Sequence, residues 1–377
     1  MRIGLVAYGL ERYPTGIGRY TLELTKAISA SHASVDLFLF GGSKCPSGVS
    51  ELNVKWVRLP GSTSLPGMLT LGSLQLLTAA KRLKLDVVHD PTGISPFVTS
   101  GTSFKKVVTI HDAFPFIVPE SSSGLERFLF RVWLPWSLRH VDAMITVSLA
   151  SRNDLENRVG LSRERLHVVY EGVSSQFEPP DAESCARARA KYGLPEEYLL
   201  NVCTNDHRKN LPTLLRAYHR LRLQADVPQL VVVANRGRFR ADTARLLRET
   251  GLDGQVLIVG DIEDHDMPSV YGGATIFLFP SLYEGFGLPP LEAMACGVPV
   301  ICSNAGSLPE VTGDAAMNVE PLDFVGLSEA LRRLLSDSPL RVSLARKGLE
   351  RAHRFSWQIM ANEVVALYER VLEAGSE

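Results

Sequence analysis

Short runs of β-branched and other apolar residues alternate with amphipathic segments along the whole chain. Short apolar runs bounded by turn residues predict buried strands, whereas apolar residues that recur every three or four positions predict helices. Strands that alternate with helices in this way are typical of parallel sheets with right-handed crossovers. The pattern therefore predicts an α/β protein.

The predicted strands of the first half are residues 3–7, 35–40, 86–89, 107–110, 143–147 and 166–169. Those of the second half are residues 199–203, 229–234, 256–259, 276–279 and 298–302. Predicted helices of the first half cover residues 18–29, 68–83, 125–138 and 150–158. The last part of the chain is predicted to form three helices, over residues 324–335, 340–353 and 357–372.

At 377 residues the chain suits two domains of roughly 150–200 residues each. The predicted boundary follows Gly172, because a polar, proline-containing stretch (174–183) comes before the first helix of the second half. We therefore expect an N-terminal domain over residues 1–172 and a C-terminal domain over residues 173–356.

Composition narrows the class of protein. A hydrophobic fraction of 45% and a charged fraction of 21% are ordinary for a globular enzyme, and a net charge of −1 gives no reason to expect nucleic acid as a partner. The five cysteines form no C-x-x-C pair, which argues against a disulfide framework or a zinc site and favours a reducing compartment. The apolar start, residues 1–7, is too short for a signal peptide or a membrane span. We expect a cytoplasmic protein.

Two carboxylates eight positions apart, Glu284 and Glu292, form the most informative motif. Glu284 follows a predicted strand, and Pro290 suits the first turn of the helix that would come next. Ligands of open α/β sheets bind beyond such strand ends, and Gly285 and Gly287 let backbone N–H groups approach a polar ligand. One carboxylate in the loop and one in the first helical turn could bind two separate sets of hydroxyls.

Two cations, Arg208 and Lys209, follow another predicted strand and precede a helix. Fixed cations and helix-terminal N–H groups at such a junction stabilise phosphate oxygens. The alternative is an ordinary surface pair of basic residues. The carboxylates downstream favour the phosphate interpretation. Cys203, nearby, is better interpreted as a buried packing thiol than as a nucleophile.

His111 and Asp112 also follow a predicted strand, residues 107–110. At this strand end they could line a ligand site. The alternative interpretation is a structural histidine whose hydrogen bonds are satisfied by its neighbour. His89 and Asp90 end a different strand, and His89 is assigned either to acceptor binding or to plain structure, with structure favoured.

Asp264 and Asp266 match a D-x-D metal motif, but here they precede a short predicted helix, so a capping role is favoured and no metal is expected. Gly260 and Ile262, after the strand 256–259, are better placed to face a nucleotide base through backbone groups. The aromatic and basic segment 125–140 favours core packing with arginines at its rim, and peripheral membrane contact, at the cytoplasmic face, is the alternative.

The block Phe279-Pro-Ser-Leu-Tyr-Glu284, together with Glu292-Ala-Met-Ala-Cys-Gly297, resembles the E-x7-E region of retaining GT-B glycosyltransferases of family 4, which act in polysaccharide and lipopolysaccharide synthesis. The resemblance implies two Rossmann-like α/β/α domains that face a central cleft, with the closing helix 357–377 completing the first. It further implies a metal-independent hexosyltransferase that needs no cofactor. The donor would bind mainly to the second domain and a glycan or lipid-linked acceptor to the first.

The resemblance also implies roles for individual residues. Glu292 would hold the ribose hydroxyls and Glu284 the sugar hydroxyls, while Arg208 and Lys209 would balance the diphosphate. Backbone groups of the donor loop would contribute as well, at Gly285, Phe286, Gly287 and Leu288. His111 would contact the donor sugar or its phosphate, with Asp112 lining the pocket. The chain departs from the family pattern at Cys203, which replaces a glycine, and at His207, which replaces a proline.

The segment Thr15-Gly-Ile-Gly-Arg-Tyr20 opens a predicted helix. A dinucleotide fingerprint needs a third glycine at position 21, where Thr21 stands, so a dehydrogenase is disfavoured. The segment resembles the family's loop in which Gly16 and Gly18 approach the transferred sugar or donor phosphate, and Arg19 would reach an anionic acceptor. A structural glycine turn is the alternative.

The glycine segment combined with His111 and Asp112 looks most like members of the family that use GDP-mannose, with UDP-glucose or another UDP-sugar as the alternative donor. Two rival classes stay open at this point. One is a sugar-nucleotide epimerase of the same fold, and the other is a non-catalytic module that binds glycans or nucleotides.

Overall fold

The computed structural model describes residues 1–8, 10, 16–42, 45–204, 206–234 and 241–374. The chain divides into two compact units. The first contains Met1–Phe116, Ser122–Gly172 and Ser356–Glu377, and the second contains Ile117–Ser121 and Val173–Phe355. The division at Gly172 coincides with the predicted one, but the short segment Ile117–Ser121 groups with the second unit rather than the first.

The first unit is built on a sheet of seven strands, all of whose pairs are parallel. Its strands are β1 (Arg2–Val6), β2 (Asp36–Gly41), β3 (Lys55–Arg58), β4 (Val87–Asp90), β5 (Lys105–Thr109), β6 (Ala143–Thr146) and β7 (Leu166–Val168). Their order is β3-β2-β1-β4-β5-β6-β7, so the direction of winding reverses between β1 and β4. The sequence predicted every one of these strands except β3, which lies at the edge.

The second unit repeats this plan with six parallel strands. They are β8 (Tyr198–Val202), β9 (Gln229–Val233), β10 (Val256–Val259), β11 (Ile276–Phe279), β12 (Val300–Ser303) and β13 (Ala316–Val319). Their order is β10-β9-β8-β11-β12-β13, so the winding reverses between β8 and β11. The predicted α/β class, with two Rossmann-like parallel sheets, is confirmed.

The α-helices of the first unit are α1 (Gly16–Ser31), α2 (Ser47–Ser50), α3 (Leu65–Gly67), α4 (Ser73–Arg82), α5 (Phe114–Ile117), α6 (Gly124–Phe128), α7 (Leu134–Ser137), α8 (Leu149–Asp154) and, at the end of the chain, α17 (Trp357–Glu373). Those of the second unit are α9 (Ala182–Tyr192), α10 (Leu211–Arg222), α11 (Ala241–Glu249), α12 (Met267–Gly272), α13 (Leu288–Ala295), α14 (Leu308–Thr312), α15 (Phe324–Ser336) and α16 (Ser338–Ala352).

Short turns of other helix types connect these elements. Turns of 3₁₀ helix cover Pro60–Thr63, Pro119–Ser121, Leu138–His140, Arg163–Arg165, His207–Lys209 and Gly313–Ala315. Turns of π-helix cover Met68–Gly72, Leu129–Trp133 and Leu155–Val159. Each π turn lies inside one of the helices that the sequence predicted as continuous.

Helix α17 returns to the first unit and packs along α1. Ser31 donates a hydrogen bond to Gln358 of α17 at 2.5 Å, and the hydroxyl of Tyr368 lies buried against β4. Gly172 lies so close to the start of α17 that a Cβ atom there would collide with the backbone nitrogen of Trp357. Among the described residues, none of the helices is both long and apolar enough to span a bilayer.

The predicted helix over residues 125–138 exposes a row of apolar side chains. Its inward residues Leu134 and Leu138 are 2% exposed, as core packing predicts. Four others are 41–55% exposed and recur every three or four positions: Leu125, Phe128, Val132 and Trp136. Core packing therefore accounts for one face of the helix only.

Candidate active site

The charged residues of the second unit converge where its winding reverses. β8 and β11 are hydrogen-bonded neighbours in the middle of the sheet. The chain leaves β8 into the 3₁₀ turn His207–Lys209 and leaves β11 into the loop that contains Glu284. Parallel strands whose connections run to opposite sides leave a crevice at their carboxyl ends, which is where ligands of such sheets bind.

Glu284 is buried between the two cations that the sequence singled out. Lys209 Nζ lies 2.6 Å from Glu284 Oε1, and Arg208 Nη1 lies 3.7 Å from Glu284 Oε2. Burial raises the pKa of Glu284, but the charges of Lys209 and Arg208 and the hydrogen bond from Lys209 outweigh it, so the pKa lies below its ordinary value. Lys209 also lies over the ring of Phe279, 5.1 Å from its centroid. The site therefore holds an ionised carboxylate with two cations beside it.

The 3₁₀ turn that carries the cations is fixed by Asn210, which sequence reasoning did not single out. Asn210 has the left-handed backbone conformation (φ 54°), and its amide donates to the carbonyl of Pro280 at 2.9 Å and to that of Pro321 at 2.5 Å. The backbone N–H of Leu282 donates to the carbonyl of Arg208 at 2.8 Å. Asparagine tolerates this conformation better than most residues. Its position directly after Lys209 was the available signal.

The loop from Glu284 to Leu288 is held by the segment that follows β12. Ser307 donates from its backbone N–H to the carbonyl of Glu284 at 3.1 Å and from its hydroxyl to the carbonyl of Phe286 at 2.5 Å. Gly306, at φ 58°, comes so close that a Cβ atom would lie 2.5 Å from the Glu284 carbonyl oxygen. Gly285, Phe286 and Gly287 are all buried. These contacts fix the direction in which the loop presents its groups.

Glu292 has different surroundings from Glu284. Helix α13 begins at Leu288, directly after Gly287 at φ 112°, so Glu292 lies in the second turn and not in the first turn as predicted. The reason is that the helix begins immediately after the glycine and includes both prolines. Glu292 is 5% exposed and accepts a hydrogen bond of 2.8 Å from the hydroxyl of Tyr271. A neutral phenol thus orients this carboxylate.

Gly260 and Ile262 follow β10, at the edge of the second sheet. The strand β9 separates β10 from β8, so these residues lie about 10 Å across the sheet from the end of β8, at two strand spacings. Gly260 is buried, and Asp261 between them has a positive φ of 56°. The structure therefore places them on the same carboxyl edge as the charged cluster but apart from it.

In the first unit, His111 lies beyond β5 with both ring nitrogens engaged. Nε2 lies 2.9 Å from the carbonyl oxygen of Pro91, and Nδ1 lies 3.4 Å from Glu171 Oε1. The ring of Tyr20 packs edge-on against it, 4.8 Å between centroids. Asp112 accepts the backbone N–H of Phe114 at 3.1 Å. Sequence reasoning missed Glu171, because it follows the edge strand β7, which lies two strands away from β5 in the sheet.

His89 is fully buried, and both of its ring nitrogens are bonded inside the first unit. Nδ1 lies 2.6 Å from the hydroxyl of Tyr368, and Nε2 lies 2.8 Å from Oγ1 of Thr109. Burial, together with the charge of His111, lowers the pKa of His89 to about 3, so the ring is neutral. This favours the structural alternative and corrects the acceptor-binding assignment, because a ring that is 0% exposed is out of reach of a ligand, whereas the side chain of His111 is 14% exposed.

The glycine segment lies in the first turn of α1, which begins at Gly16, two residues earlier than predicted. Gly16 is exposed, and a Cβ atom there would meet nothing within 4 Å. Gly18 is buried and Arg19 is half-buried. Thr15 lies outside the described residues. The predicted contact of Gly16 with a ligand stays a prediction.

The D-x-D segment forms an ion pair with a lysine of another helix. Asp266 precedes α12, as predicted for a cap, but its side chain makes no capping bond. Lys191 Nζ lies 2.8 Å from Asp266 and 2.6 Å from Glu263, and Tyr192 donates to Asp266 at 2.7 Å. His265 joins these two carboxylates in an exposed cluster within 4.8 Å, and Asp264 is not part of it. The ammonium group of Lys191 already balances the negative charge that a metal would need.

Cys203 is 9% exposed and belongs to the core cluster of the second unit. Burial raises the pKa of its thiol to about 11, partly offset by the charge of Lys209. A protonated thiol in an apolar environment is a packing group and a poor nucleophile. The packing interpretation of Cys203 therefore has structural support.

Comparison with known proteins decides the family. The model for glycosyl transferases group 1 matches residues 186–370, and the model for glycosyltransferase family 4 matches residues 14–177. O-antigen chain mannosyltransferase B of Escherichia coli is 31% identical over 376 residues, which cover 95% of this chain and 97% of that protein. The chain is a family 4 glycosyltransferase. The family prediction from the Glu284–Glu292 block is confirmed.

Other relatives and solved structures agree with this assignment. MMP alpha-(1->4)-mannosyltransferase of Mycolicibacterium hassiacum is 28% identical to this chain over 424 residues, which cover 99% of this chain and 98% of that protein. Sucrose-phosphate synthase of Thermosynechococcus elongatus shares the fold with a TM-score of 0.79 at 23% identity, over 99% of this chain and 100% of that one. HepE of Anabaena, in complex with UDP and glucose, shares the fold with a TM-score of 0.79 at 16% identity, over 98% of this chain and 99% of that one. The predicted GT-B fold is thereby confirmed.

Proposed function

We propose that this glycosyltransferase moves mannose from GDP-mannose to a hydroxyl group of a glycan or lipid-linked acceptor and retains the anomeric configuration. The observation that carries the proposal is the cluster of Arg208, Lys209 and Glu284 at the switch point of the second sheet. Mannose is favoured because two relatives that match nearly the whole chain are named as mannosyltransferases. GDP rests on the family resemblance of the glycine segment.

The second unit would bind the donor. Arg208 and Lys209 would balance the diphosphate, each through charge-assisted hydrogen bonds worth about 1.5–3 kcal/mol. Backbone N–H groups at the start of α13 would come from Gly287 and Leu288. The next two helical positions are prolines and have no N–H to donate. Glu284 would accept from the hydroxyls of the sugar and Glu292 from those of the ribose. Tyr271 would keep Glu292 oriented for that contact.

The chemical step would need no carboxylate nucleophile. Glu284 is paired with Lys209 at 2.6 Å, and an ion-paired carboxylate is a weak nucleophile. In the proposed front-side reaction, the bond from the anomeric carbon to the phosphate oxygen breaks while the bond to the acceptor oxygen forms. The acceptor proton passes to the departing phosphate. Arg208 and Lys209 would stabilise the negative charge that develops there.

No metal or cofactor enters this proposal. Two fixed cations supply the positive charge that a divalent ion contributes to other phosphate transfers.

The remaining candidate residues are assigned by resemblance. Those of the first unit are assigned to the donor sugar and the acceptor side: His111, Asp112, Gly16, Gly18 and Arg19. Gly260 and Ile262 are assigned to the nucleotide base.

We also propose that the exposed apolar row of residues 125–136 gives the enzyme a peripheral contact with the membrane, at its cytoplasmic face. The row alternates with Arg127 and Arg131, and such a combination of apolar and basic side chains suits an anionic bilayer surface. Sedimentation with vesicles of anionic lipid should retain the wild type, and F128S should reduce that fraction. Equal binding of both proteins would contradict the proposal.

A calorimetric panel of GDP, UDP and ADP, and of their common sugar conjugates, tests the donor assignment. We expect GDP and GDP-mannose to bind in EDTA, with no gain when magnesium is added. Preference for UDP and UDP-glucose would transfer the same site to the alternative donor. Binding that requires magnesium would contradict the metal-independent proposal.

The release of nucleoside diphosphate distinguishes a transferase from an epimerase of the same fold. We expect release from GDP-mannose to be slow with water alone and to increase many-fold when a mannan or lipid-linked acceptor is present. Release that is independent of acceptor would favour the epimerase.

A further inference from the structure

The imidazole ring of His111 is held from two sides by groups that only accept hydrogen bonds. A backbone carbonyl has no proton to give, so Nε2 must donate to the oxygen of Pro91 at 2.9 Å. On the other side, Nδ1 faces Glu171 Oε1 at 3.4 Å. The side chains of His111 and Glu171 are only 14% and 7% exposed, so water screens their interaction poorly.

This arrangement sets the protonation state of the ring. With Nε2 protonated, a neutral ring would turn the lone pair of Nδ1 toward the carboxylate, which is repulsive. A second proton on Nδ1 replaces that repulsion with a charge-assisted hydrogen bond. A buried carboxylate likewise needs a cation beside it. The carboxylate of Glu171 therefore stabilises the charged form of the His111 ring.

Four other ionisable groups lie near His111, and none of these four carries a positive charge. Asp112, on the same loop, adds negative charge. Asp90, at the end of β4, accepts three hydrogen bonds from Thr92 and Ser95, and burial raises its pKa. His89 of β4 and Tyr20 of α1 are buried; burial holds the former neutral and raises the pKa of the latter.

We propose that Glu171 is a positioning residue that keeps His111 doubly protonated and fixes the orientation of its ring. This inference rests on the proposed function, in which His111 contacts the donor sugar or its phosphate. An imidazolium beyond β5 then adds positive charge, where a neutral histidine would add none. Burial lowers the pKa of His111, but the hydrogen bond and charge of Glu171, with Pro91 and Asp112, raise it above its ordinary value.

The backbone around Glu171 supports such a role. Gly172, the next residue, cannot carry a side chain because the backbone of Trp357 occupies the space. Glu171 is therefore anchored by its neighbour at the point where the chain leaves the first unit. Ser151 donates its hydroxyl proton to the carbonyl of His111 at 2.9 Å, which fixes the other partner. Both members of the pair have restrained backbones.

Nuclear magnetic resonance of histidine-labelled enzyme tests the inference without any substrate. The H111N variant identifies the His111 signals. In the wild type we expect these signals to titrate above the ordinary histidine pKa of about 6.5. In E171Q the midpoint should fall below that value, and E171D should restore part of the shift. The exposed carboxylate Glu164 provides the control E164Q, which should leave the midpoint unchanged. An unchanged midpoint in E171Q would overturn the proposal.

A second readout connects the pair to turnover. The release of GDP from GDP-mannose should decline in E171Q at neutral pH and recover as the pH falls, because acid restores the imidazolium. Its kcat should fall more than its KM rises. A purely structural role would lower activity equally at all pH values, and that result would overturn the proposal. Failure of the wild type to bind any sugar nucleotide would instead contradict the proposed function and leave the spectroscopic test intact.

Discussion

At the carboxyl edges of the two sheets, buried polar side chains are stabilised by different kinds of partner. In the second unit, two cations surround one carboxylate, and the three residues lie within short loops after neighbouring strands. In the first unit, His89 is neutral and held by hydroxyls, while His111 is held by a carbonyl and a carboxylate. The charged cluster of the second unit joins two loops that follow adjacent strands. The histidines of the first unit depend instead on Tyr368 of the closing helix and on Glu171, which follows the edge strand β7.

The largest effect is expected from a substitution in the charged cluster of the second unit. Lys209→Ala removes the cation 2.6 Å from Glu284, so the departing phosphate loses a fixed positive charge and a buried carboxylate loses its partner. Turnover should fall at least tenfold, toward the factor of about 10²–10³ that the loss of such a stabiliser typically costs. The measurement is the rate of GDP release from GDP-mannose. A near-normal rate would remove Lys209 from the site.

The next effect separates the roles of two buried tyrosines. Tyr368→Phe leaves His89 without its hydroxyl partner and should lower the unfolding free energy by about 1–3 kcal/mol, with donor affinity unchanged. Tyr271→Phe removes the partner of Glu292 and should weaken donor binding as well. Thermal unfolding and calorimetry measure the two quantities. Loss of donor affinity in Tyr368→Phe would contradict the assignment of His89 to structure.

The two units should also respond to opposite changes of pH. The pKa of Glu284 is lowered in the folded protein, so its contribution to stability is present above the ordinary value of about 4.3 and is lost as the pH falls through the folded value. The pKa of His111 is raised, so its contribution is present below about 6.5 and is lost as the pH rises through the folded value.

Two substitutions isolate these contributions in melting temperatures measured against pH. E284Q should reduce the acid-dependent loss of stability, and H111N should reduce the alkaline-dependent loss. The reverse assignment, or no change in either variant, would contradict the ion-pair description of the corresponding unit.

The smallest effect is expected at the exposed pair of Lys191 with Glu263 and Asp266. Exposed ion pairs are screened by water and contribute little to stability. Lys191→Ala should leave turnover unchanged and the melting temperature nearly so, which makes it the matched control for Lys209→Ala. Magnesium-dependent activity in Lys191→Ala would show that the carboxylates beside Lys191 can act as a metal site.

The sequence predicted the interior strands to within two residues because each contains a run of buried apolar residues. Strands buried on both faces have no alternation to misinterpret. The two missed strands, β3 and β13, are edge strands whose residues are mostly half-buried or exposed, such as Lys55 and Asn318. Their mixture of polar and apolar residues resembles that of a loop.

The candidate site was predictable where it depends on strand ends. Arg208, Lys209 and Glu284 each follow a central strand, so their convergence follows from the order of the sheet. Glu171 and Tyr368 were not predictable in this way. Glu171 follows the edge strand β7 and Tyr368 lies on α17, so the order of the strands does not place either beside its partner. A glutamate or tyrosine in isolation also gives no sign of being buried. Only the tertiary packing shows that the ring nitrogens of His89 and His111 have hydrogen-bond partners.

The return of α17 to the first unit has a consequence for how the protein is made. Domains generally fold as they emerge from the ribosome, beginning with the first. Here the hydroxyl that pairs with His89 belongs to Tyr368, and α1 packs on a helix that is synthesised after the whole second unit. The second unit, by contrast, is almost continuous along the chain. The unit that emerges first is therefore the one that is completed last.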